Sequence, residues 1–228
     1  MIYPTLMIDR FFDNPDEIVK FANKLDYTID DGKGIYPGKR SQPLHSLNYS
    51  LFDYINKKIL RLHYPDFKVF KNLNYEALTH FQLIKYEDVE YHITNSKYPG
   101  IGWIHKDPNL ITAIVYLTKK NSNSGTSIWK RKLEGIDTTI DCDSVKIPYY
   151  SGKSVNENSY KDSLNQTIDC YTETCYSKSI YNSYISFDAS EFHSANFDMQ
   201  PREERLTLIS FITKLDSPYT PVTEMQKT

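Results

Sequence analysis

The sequence predicts a mainly β fold with flanking helices, in the form of a double-stranded β-helix (jelly roll) with two N-terminal helices packed on one sheet. Residues 1–78 carry two amphipathic helical patterns, whereas residues 79–215 consist of short runs rich in tyrosine and β-branched residues. Helices followed by about seven short strands are typical of an antiparallel double sheet covered on the outside by helices. The 228 residues are enough for one well-packed domain, and we expect a single domain over residues 1–228.

The composition and charge exclude several classes of partner. The formal net charge is −2 and the pI is about 6.3, so we expect no general binding of nucleic acid. The sequence does not begin with a basic segment followed by an apolar segment, and it contains no run of about 18 apolar residues. We therefore expect a soluble cytoplasmic protein, monomeric or homodimeric, without a membrane partner. The three cysteines, Cys142, Cys170 and Cys175, include no Cys-x-x-Cys pair and are expected to be free thiols.

Two helices are predicted in the N-terminal part. The first covers about residues 15–26, with Asn14 as N-cap, Pro15 at the first helical position and Glu17 in the first turn. The second covers about residues 46–63. Both have apolar residues at intervals of three and four, namely Ile18, Val19, Phe21, Ala22 and Leu25 in the first, and Leu47, Leu51, Phe52, Ile55, Ile59 and Leu62 in the second.

Short runs of β-forming residues between turns predict the strands. They are residues 80–86, 91–94, 103–107, 111–118, 126–130, 179–187 and 205–213. The run 111–118 is almost continuously apolar, which is typical of a strand buried on both faces. Residues 132–178 are rich in polar residues and tyrosine without clear periodicity. We expect an insertion with weak hairpins there, either a lid over a site or a surface insertion.

His105 and Asp107 lie two residues apart on the predicted strand 103–107. Because side chains two apart in a strand point to the same side, the strand would present an imidazole and a carboxylate together. Chance alone gives about 0.8 His-x-acid triplets in a chain with 6 histidines and 29 acidic residues, so this spacing is weak evidence by itself. A second histidine, His193, follows the strand 179–187. Two histidines and one carboxylate leave one face of a metal open, as in non-haem Fe(II) oxygenases.

The last predicted strand begins with a residue suited to binding a carboxylate. Arg205 opens this strand, and alternation puts the Thr207 hydroxyl on the same side. A guanidinium binds a carboxylate through two parallel hydrogen bonds, and a hydroxyl can add a third. A second basic pair, Lys39 and Arg40, lies in the irregular segment 36–41 and is either a contact for an anionic substrate or part of a solvated loop.

The order of these motifs resembles that of the Fe(II)/2-oxoglutarate-dependent dioxygenase superfamily. The resemblance is strong over about residues 80–213, loose over the first 40, and closest to the prolyl-4-hydroxylase-like branch with its small bacterial and phage members. It rests on His105-x-Asp107, the strand 111–118, Gly125-Thr126, a strand ending at Asp188, His193-Ser-Ala and Arg205-x-Thr207.

The resemblance implies a role for each of these residues. His105, Asp107 and His193 would bind Fe(II). Arg205 would bind the distal carboxylate of 2-oxoglutarate, with Thr207 assisting. The interval from His193 to Arg205 is a little longer than is usual in this superfamily, so Arg202 is an alternative for the carboxylate.

The resemblance also implies an activity. Such an oxygenase uses Fe(II), 2-oxoglutarate and O₂ to hydroxylate a small-molecule or peptide substrate, with release of succinate and CO₂. Gln82, Tyr86 and Tyr116 fall on strands that flank the metal strand, and we expect them in the cofactor pocket. Two alternatives remain: a non-catalytic jelly-roll binding module, and a cupin-type metal enzyme that does not use 2-oxoglutarate and has no need of Arg205.

Overall fold

A computed structural model describes residues 2–28, 36–94, 97–120, 123–132, 156–217 and 221. It contains a six-stranded sheet in the order β1-β7-β4-β9-β3-β2 and a three-stranded sheet in the order β6-β5-β8. All strand pairs are antiparallel, and the predicted jelly roll is confirmed. The strands are β1 (Leu6–Ile8), β2 (Lys39–Arg40), β3 (Asn74–Lys85), β4 (Ile111–Tyr116), β5 (Gly125–Arg131), β6 (Tyr171–Lys178), β7 (Tyr184–Asp188), β8 (Phe192–Asn196) and β9 (Glu204–Asp216).

Both predicted N-terminal helices are present, with different boundaries. The described helices are α1 (Pro15–Ala22), α2 (Leu44–Leu47), α3 (Tyr49–His63), α4 (Phe67–Lys71), α5 (Tyr86–Thr94) and α6 (Glu157–Asp169). Helix α1 ends at Ala22 because the N–H groups of Lys24 and Leu25 bond to carbonyls three residues back, which tightens the last turn. The second predicted helix is divided at Asn48, whose extended backbone ends α2 and whose side chain caps α3 by accepting from the Leu51 N–H.

The N-terminal helices α1, α2 and α3 cover the outer face of the six-stranded sheet. One buried cluster joins α1 and α3 to this face through Ala22, Phe52, Ile55, Ile59, Phe81, Ala113, Val115, Tyr184, Leu206 and Leu208. A second cluster lies between the sheets and consists of Ile114, Tyr116, Ile128, Ile185, Phe187 and Ile209. Strand β4 contributes to both clusters and all its residues are buried, as predicted for its run of apolar residues. None of the helices described here is long and apolar enough to cross a membrane.

The segment that carries the first predicted ligands runs beside β8 as an irregular strand. Ile101 pairs with Asn196, and His105 pairs with His193, each as an isolated bridge. Between these two pairs, the segment has four residue steps, from 101 to 105, whereas β8 has only three, from 193 to 196. The segment therefore contains a one-residue bulge. The prediction of a regular strand over 103–107 is therefore wrong. Bulges of this kind are common beside active sites because they redirect side chains.

Residues 86–94 form helix α5, which contradicts the prediction of a strand over 91–94. The Asp88 side chain accepts a hydrogen bond from the Lys85 N–H at 2.8 Å and thereby caps the helix start. Glu87 and Asp88 both lie in the first turn, where carboxylates favour a helix. Strand β3 ends at Lys85, so Tyr86 leaves the sheet.

The region 132–178 contains two regular elements that the sequence prediction missed. Helix α6 is capped by Asn156 and buries Tyr160, Leu164 and Ile168 at intervals of four. Strand β6 is an edge strand of the three-stranded sheet. Its Cys175 and the nearby Cys170 are free thiols, whereas Cys142 lies outside the described residues. Residues 133–155 also lie outside them, so the lid stays a prediction.

Strand β7 begins at Tyr184, five residues later than predicted. Asn182 has a left-handed backbone, with φ 65°, which breaks the extended run. Its side chain exchanges two hydrogen bonds of 2.8 Å with the backbone of Phe12, so the turn anchors the segment before α1.

The end of α3 contains a histidine that makes stability depend on pH. His63 has no exposed surface, and its Nε2 lies 3.0 Å from the Ser186 hydroxyl. Burial lowers the pKa of His63 to about 4. Because a histidine in an unfolded chain titrates near pH 6.5, acidification adds a proton to the unfolded state before the folded state accepts one. The free energy of unfolding therefore falls as the pH falls from about 6.5 towards 4.

We expect acidification from about pH 7.5 to about pH 5 to reduce the free energy of unfolding by about 2 kcal/mol through His63 alone. Chemical denaturation at both pH values measures this loss. In His63→Gln the loss should be about 2 kcal/mol smaller than in the wild type. The exposed His45 provides the control, since His45→Gln should keep the wild-type loss. An unchanged loss in His63→Gln would contradict the prediction.

Candidate metal and anion site

The two strand-like segments at the edge of the small sheet bring three ligand residues together. The backbones of His105 and His193 exchange two hydrogen bonds of 2.9 Å, so their side chains are direct cross-strand neighbours. The Asp107 N–H donates to the Ala189 carbonyl at 2.9 Å and fixes the carboxylate beside both rings. The imidazole centroids lie 4.3 Å apart. The bulge and β8 together therefore build a single cluster from sequence positions that are 86 residues apart.

The distances within this cluster fit one metal ion. The carboxylate oxygens of Asp107 lie 3.7 Å from Nε2 of His105 and 3.3 Å from Nε2 of His193. Ligand atoms that bind one ion at about 2.1 Å lie about 3–3.5 Å from each other. All three ligand atoms lie within 4.8 Å of one another. The donor set of two imidazoles and one carboxylate thus fits a divalent transition metal with an open face.

Neighbouring groups orient each ligand. Nδ1 of His105 donates to the Trp103 carbonyl, and Nδ1 of His193 donates to the Glu191 carbonyl, both at 2.9 Å. Because a carbonyl only accepts, Nδ1 of each ring carries a proton, and Nε2 is the nitrogen that could bind a metal. The Thr112 hydroxyl donates to Asp107 Oδ2 at 2.7 Å.

The carboxylate of the cluster is held in its ionised form. Burial raises the pKa of Asp107, but the hydrogen bond and charge of His193 outweigh this effect, with help from His105 and Thr112. The net result is a pKa below the ordinary value of an aspartate. A metal requires an ionised carboxylate, and the lowered pKa of Asp107 keeps this carboxylate ionised.

A network of buried side chains supports the backbone before His105. The Trp103 indole N–H donates to the Tyr160 hydroxyl at 2.9 Å, and this hydroxyl lies 2.9 Å from Nε2 of His92. Helices α5 and α6 therefore support the residue whose carbonyl orients a ligand histidine. Trp103 and Thr112 were not predicted as site residues. Their signals in the sequence are an aromatic residue two positions before His105 and a hydroxyl within an apolar strand.

Arg205 lies deep in the same cleft. The residue is 5% exposed, and its guanidinium donates from Nη1 to the Asn196 carbonyl at 3.1 Å, while its Nε has no hydrogen-bond partner among the described residues. Burial lowers the pKa of Arg205, and Tyr116 and Tyr176 partly oppose this shift. No described carboxylate is among the groups that favour its protonated form. Such an unmatched buried cation fits the carboxylate of a ligand. Thr207 lines the cleft beside it.

The other predicted pocket residues differ in their positions. Gln82 lines the cleft, and its amide donates to the Pro37 carbonyl at 2.7 Å. Tyr116 lies fully buried behind the cleft, where its hydroxyl donates to Thr126 at 2.7 Å. Tyr86 belongs to α5 and does not line the cleft, although Ile84 and Phe197 of its buried cluster do. Arg202 is exposed in a left-handed turn, with φ 70°, and does not line the cleft.

Both sheets contribute to the cleft. The space within it that is open to water-sized groups is about 110 Å³. The metal cluster and Arg205 both line it. Its remaining walls are largely apolar and include Ile84, Trp103, Ile114, Ala195, Phe197, Ile209 and Phe211.

The sequence also matches a described family. The family model of DUF6445, a family of unknown function, matches residues 3–212. The chain belongs to the DUF6445 family. It matches no curated protein.

Solved structures show what fold this DUF6445 chain has. The α-ketoglutarate-dependent epimerase SnoN from nogalamycin biosynthesis aligns with a TM-score of 0.52 and 9% identity, over 99% of this chain and 85% of SnoN. HygX from Streptomyces hygroscopicus, with nickel and 2-oxoglutarate bound, aligns with a TM-score of 0.50 and 9% identity, over 93% and 84%. A prolyl-4-hydroxylase from Pseudomonas putida aligns at 0.43 and 11% identity over 93% of both chains, which is too distant to assign a branch. The DUF6445 chain shares the fold of 2-oxoglutarate oxygenases.

Proposed function

We propose that this protein is an Fe(II)- and 2-oxoglutarate-dependent oxygenase that hydroxylates a small-molecule or peptide substrate. One observation carries the proposal: a two-histidine, one-carboxylate cluster and a buried arginine without a described carboxylate partner line the same cleft. The motif order supports a place in the prolyl-4-hydroxylase-like branch.

Each residue of the site has a role in this proposal. His105, Asp107 and His193 would hold the iron, and Arg205 with Thr207 would bind the distal carboxylate of 2-oxoglutarate. When bound, the iron would supply activation of O₂, which is the oxidant: one of its oxygen atoms would go to succinate, with release of CO₂ from 2-oxoglutarate, and the other to the hydroxylated substrate. The chain itself positions these partners and excludes water.

The walls of the cleft support these roles. Arg205 lies over the Tyr116 ring, with its central carbon 5.4 Å from the centroid, and Phe197 lies at 5.9 Å. These rings shield the guanidinium from water, so a carboxylate would meet it in a medium where charged hydrogen bonds are strong. The Phe187 ring lies 4.6 Å from that of His193 and fixes this ligand from behind.

The two alternatives explain less of the structure. A binding module has no need of ligand histidines whose Nδ1 atoms are both held by carbonyls. A cupin-type metal enzyme that does not use 2-oxoglutarate leaves the buried Arg205 without a function. SnoN is described as α-ketoglutarate dependent, and HygX as having 2-oxoglutarate bound. Both descriptions support the proposed oxygenase over the two alternatives.

Ligand-induced stabilisation tests the proposal. Ni(II) and 2-oxoglutarate together should raise the melting temperature more than either alone, because a ligand at about 100 times its Kd adds roughly 2.7 kcal/mol to folding stability. Pyruvate, which has the keto acid but no distal carboxylate, is the matched control and should add much less. With Fe(II) and O₂, the protein should form succinate from 2-oxoglutarate.

The outcomes separate the three functions. If the metal stabilises the protein but 2-oxoglutarate adds no more stability than pyruvate does, the result indicates a cupin-type enzyme. No stabilisation by metal indicates a binding module. Either result contradicts the proposed oxygenase.

A further inference from the structure

We propose that Asp188 is a positioning residue of the metal cluster, which consists of His105, Asp107 and His193. Asp188 is the last residue of β7 and begins the turn 188–191, which leads into β8. Its carboxylate holds this turn in place, and two carbonyls of the turn hold two of the three ligands. The inference rests on the proposed function, because it concerns the metal of the same site.

The turn 188–191 contacts two ligands through its backbone. The Ala189 carbonyl accepts a hydrogen bond from the Asp107 N–H, and the Glu191 carbonyl accepts one from Nδ1 of His193, both at 2.9 Å. The first bond places the backbone of one ligand. The second fixes the ring of the other, with Nε2 as the nitrogen that could bind the metal. A displacement of the turn would therefore move Asp107 and His193 together.

Three hydrogen bonds to the Asp188 carboxylate fix the turn. One carboxylate oxygen accepts from both the N–H and the hydroxyl of Ser190, at 2.9 and 2.6 Å. The other oxygen accepts from the Tyr3 N–H at 2.9 Å. The Asp188 carbonyl also accepts from the Glu191 N–H at 2.9 Å, which closes the turn. Asp188 is only 5% exposed, so water does not readily replace its carboxylate as an acceptor.

The bond from Tyr3 anchors the turn to the N-terminal segment. Strands β1 and β7 are antiparallel, with Leu6 opposite Ser186, so the chain just before β1 runs beside Asp188. The Tyr3 side chain is buried in a cluster that includes Leu60, Ile111 and Ile212. The carboxylate of Asp188 therefore joins the turn to a packed part of the large sheet. This anchor lies on the side of the turn that the ligands do not contact.

A carboxylate suits this position because all three of its side-chain partners donate. Asparagine has the same size, but its amide has one accepting oxygen and one donating NH₂ group. In Asp188→Asn, the NH₂ group would face either the Tyr3 N–H or the two donors of Ser190. At least one buried donor would then lose its acceptor. The substitution thus loosens the turn without changing the volume of the side chain.

Calorimetric titration of the full-length protein with Zn(II) tests the proposal. Asp188→Asn should weaken Zn(II) binding roughly tenfold, at the lower end of the roughly 10–100-fold that loss of a partner of a metal ligand costs, because Asp188 acts through the backbone. Asp66→Asn is the matched control. Asp66 also accepts from the N–H groups of two residues that follow it, but it caps α4, which does not line the cleft. This variant should keep the wild-type affinity.

Imidazole NMR of the Zn(II)-loaded protein separates positioning from a general loss of stability. In Asp188→Asn, the Nδ1–H signal of His193 should shift and exchange faster with water, because its acceptor belongs to the turn. The Nδ1–H of His105 bonds to the Trp103 carbonyl, outside the turn, and its smaller shift is the internal control. Ser190→Ala removes one of the three bonds and should change the His193 signal in the same direction by a smaller amount.

The outcomes distinguish this proposal from the proposed function. If Asp188→Asn bound Zn(II) as tightly as Asp66→Asn, or changed the signals of His105 and His193 equally, the proposal would be wrong. If Asp188→Asn did not fold, an unchanged His193 signal in Ser190→Ala would contradict it. A failure of the proposed function is seen in the wild type, which would then bind no Zn(II) or form no succinate from 2-oxoglutarate with Fe(II).

Discussion

Asp107→Ala is expected to abolish stable binding of Fe(II) and the turnover of 2-oxoglutarate. The substitution removes the carboxylate of the cluster and leaves only the two imidazoles. The fold should persist, because the Asp107 backbone N–H keeps its bond to the Ala189 carbonyl. Loss of a hydrogen bond to a metal ligand lowers metal affinity roughly 10–100-fold, and Asp107→Ala should lower it further. Competition with a chromophoric chelator measures this affinity.

Thr112→Val provides a graded comparison for this prediction. It removes the hydroxyl that donates to Asp107 Oδ2 but preserves the shape of the buried side chain. Metal affinity should therefore fall by roughly 10–100-fold, less than in Asp107→Ala. If Asp107→Ala still bound a full complement of metal tightly, the assignment of Asp107 as a metal ligand would be wrong.

Arg205→Met is expected to have opposite effects on ligand binding and on stability. Loss of two charge-assisted hydrogen bonds should raise the Kd for 2-oxoglutarate by roughly 10²–10⁴-fold, at about 1.5–3 kcal/mol for each bond. Without ligand, the variant should be more stable than the wild type by about 1 kcal/mol, because an apolar side chain replaces a buried cation with no described carboxylate partner. Calorimetric titration and chemical denaturation measure the two effects.

Arg202→Met is the matched control, since Arg202 is the arginine nearest in sequence and is exposed. It should bind 2-oxoglutarate like the wild type. If Arg202→Met bound 2-oxoglutarate weakly and Arg205→Met bound it normally, Arg202 and not Arg205 would be the residue that binds the carboxylate.

Local sequence patterns predicted the elements in which apolar residues recur at regular intervals or form a continuous run. Helices α1 and α3 and strand β4 follow directly from apolar periodicity. Helix α6 was missed because only three buried apolar residues mark it within a polar segment, although an Asn N-cap and spacing of four residues were available as signals. Tyr86 was misplaced because the strand pattern was extended past Lys85 and the acidic first turn of α5 was overlooked.

The ligand side chains were predictable because their order along the chain is a property of the sequence. Their convergence was not, because it depends on a bulge that shifts the pairing of His105 with β8 by one residue. The same applies to Arg40, which lines the cleft, whereas Lys39 is exposed. Residues 36–41 show no periodicity, and only pairing with β3 turns one of these two basic residues into the cleft.

The sequence by itself determined which residue types were available for the chemistry: two histidines, an aspartate and an arginine, on or beside strands of a jelly roll. The tertiary structure decided which of them share one cavity and which neighbouring arginine is buried. The physical reason is that local periodicity specifies the face of an element, whereas cross-strand register and burial arise only when distant segments pack together.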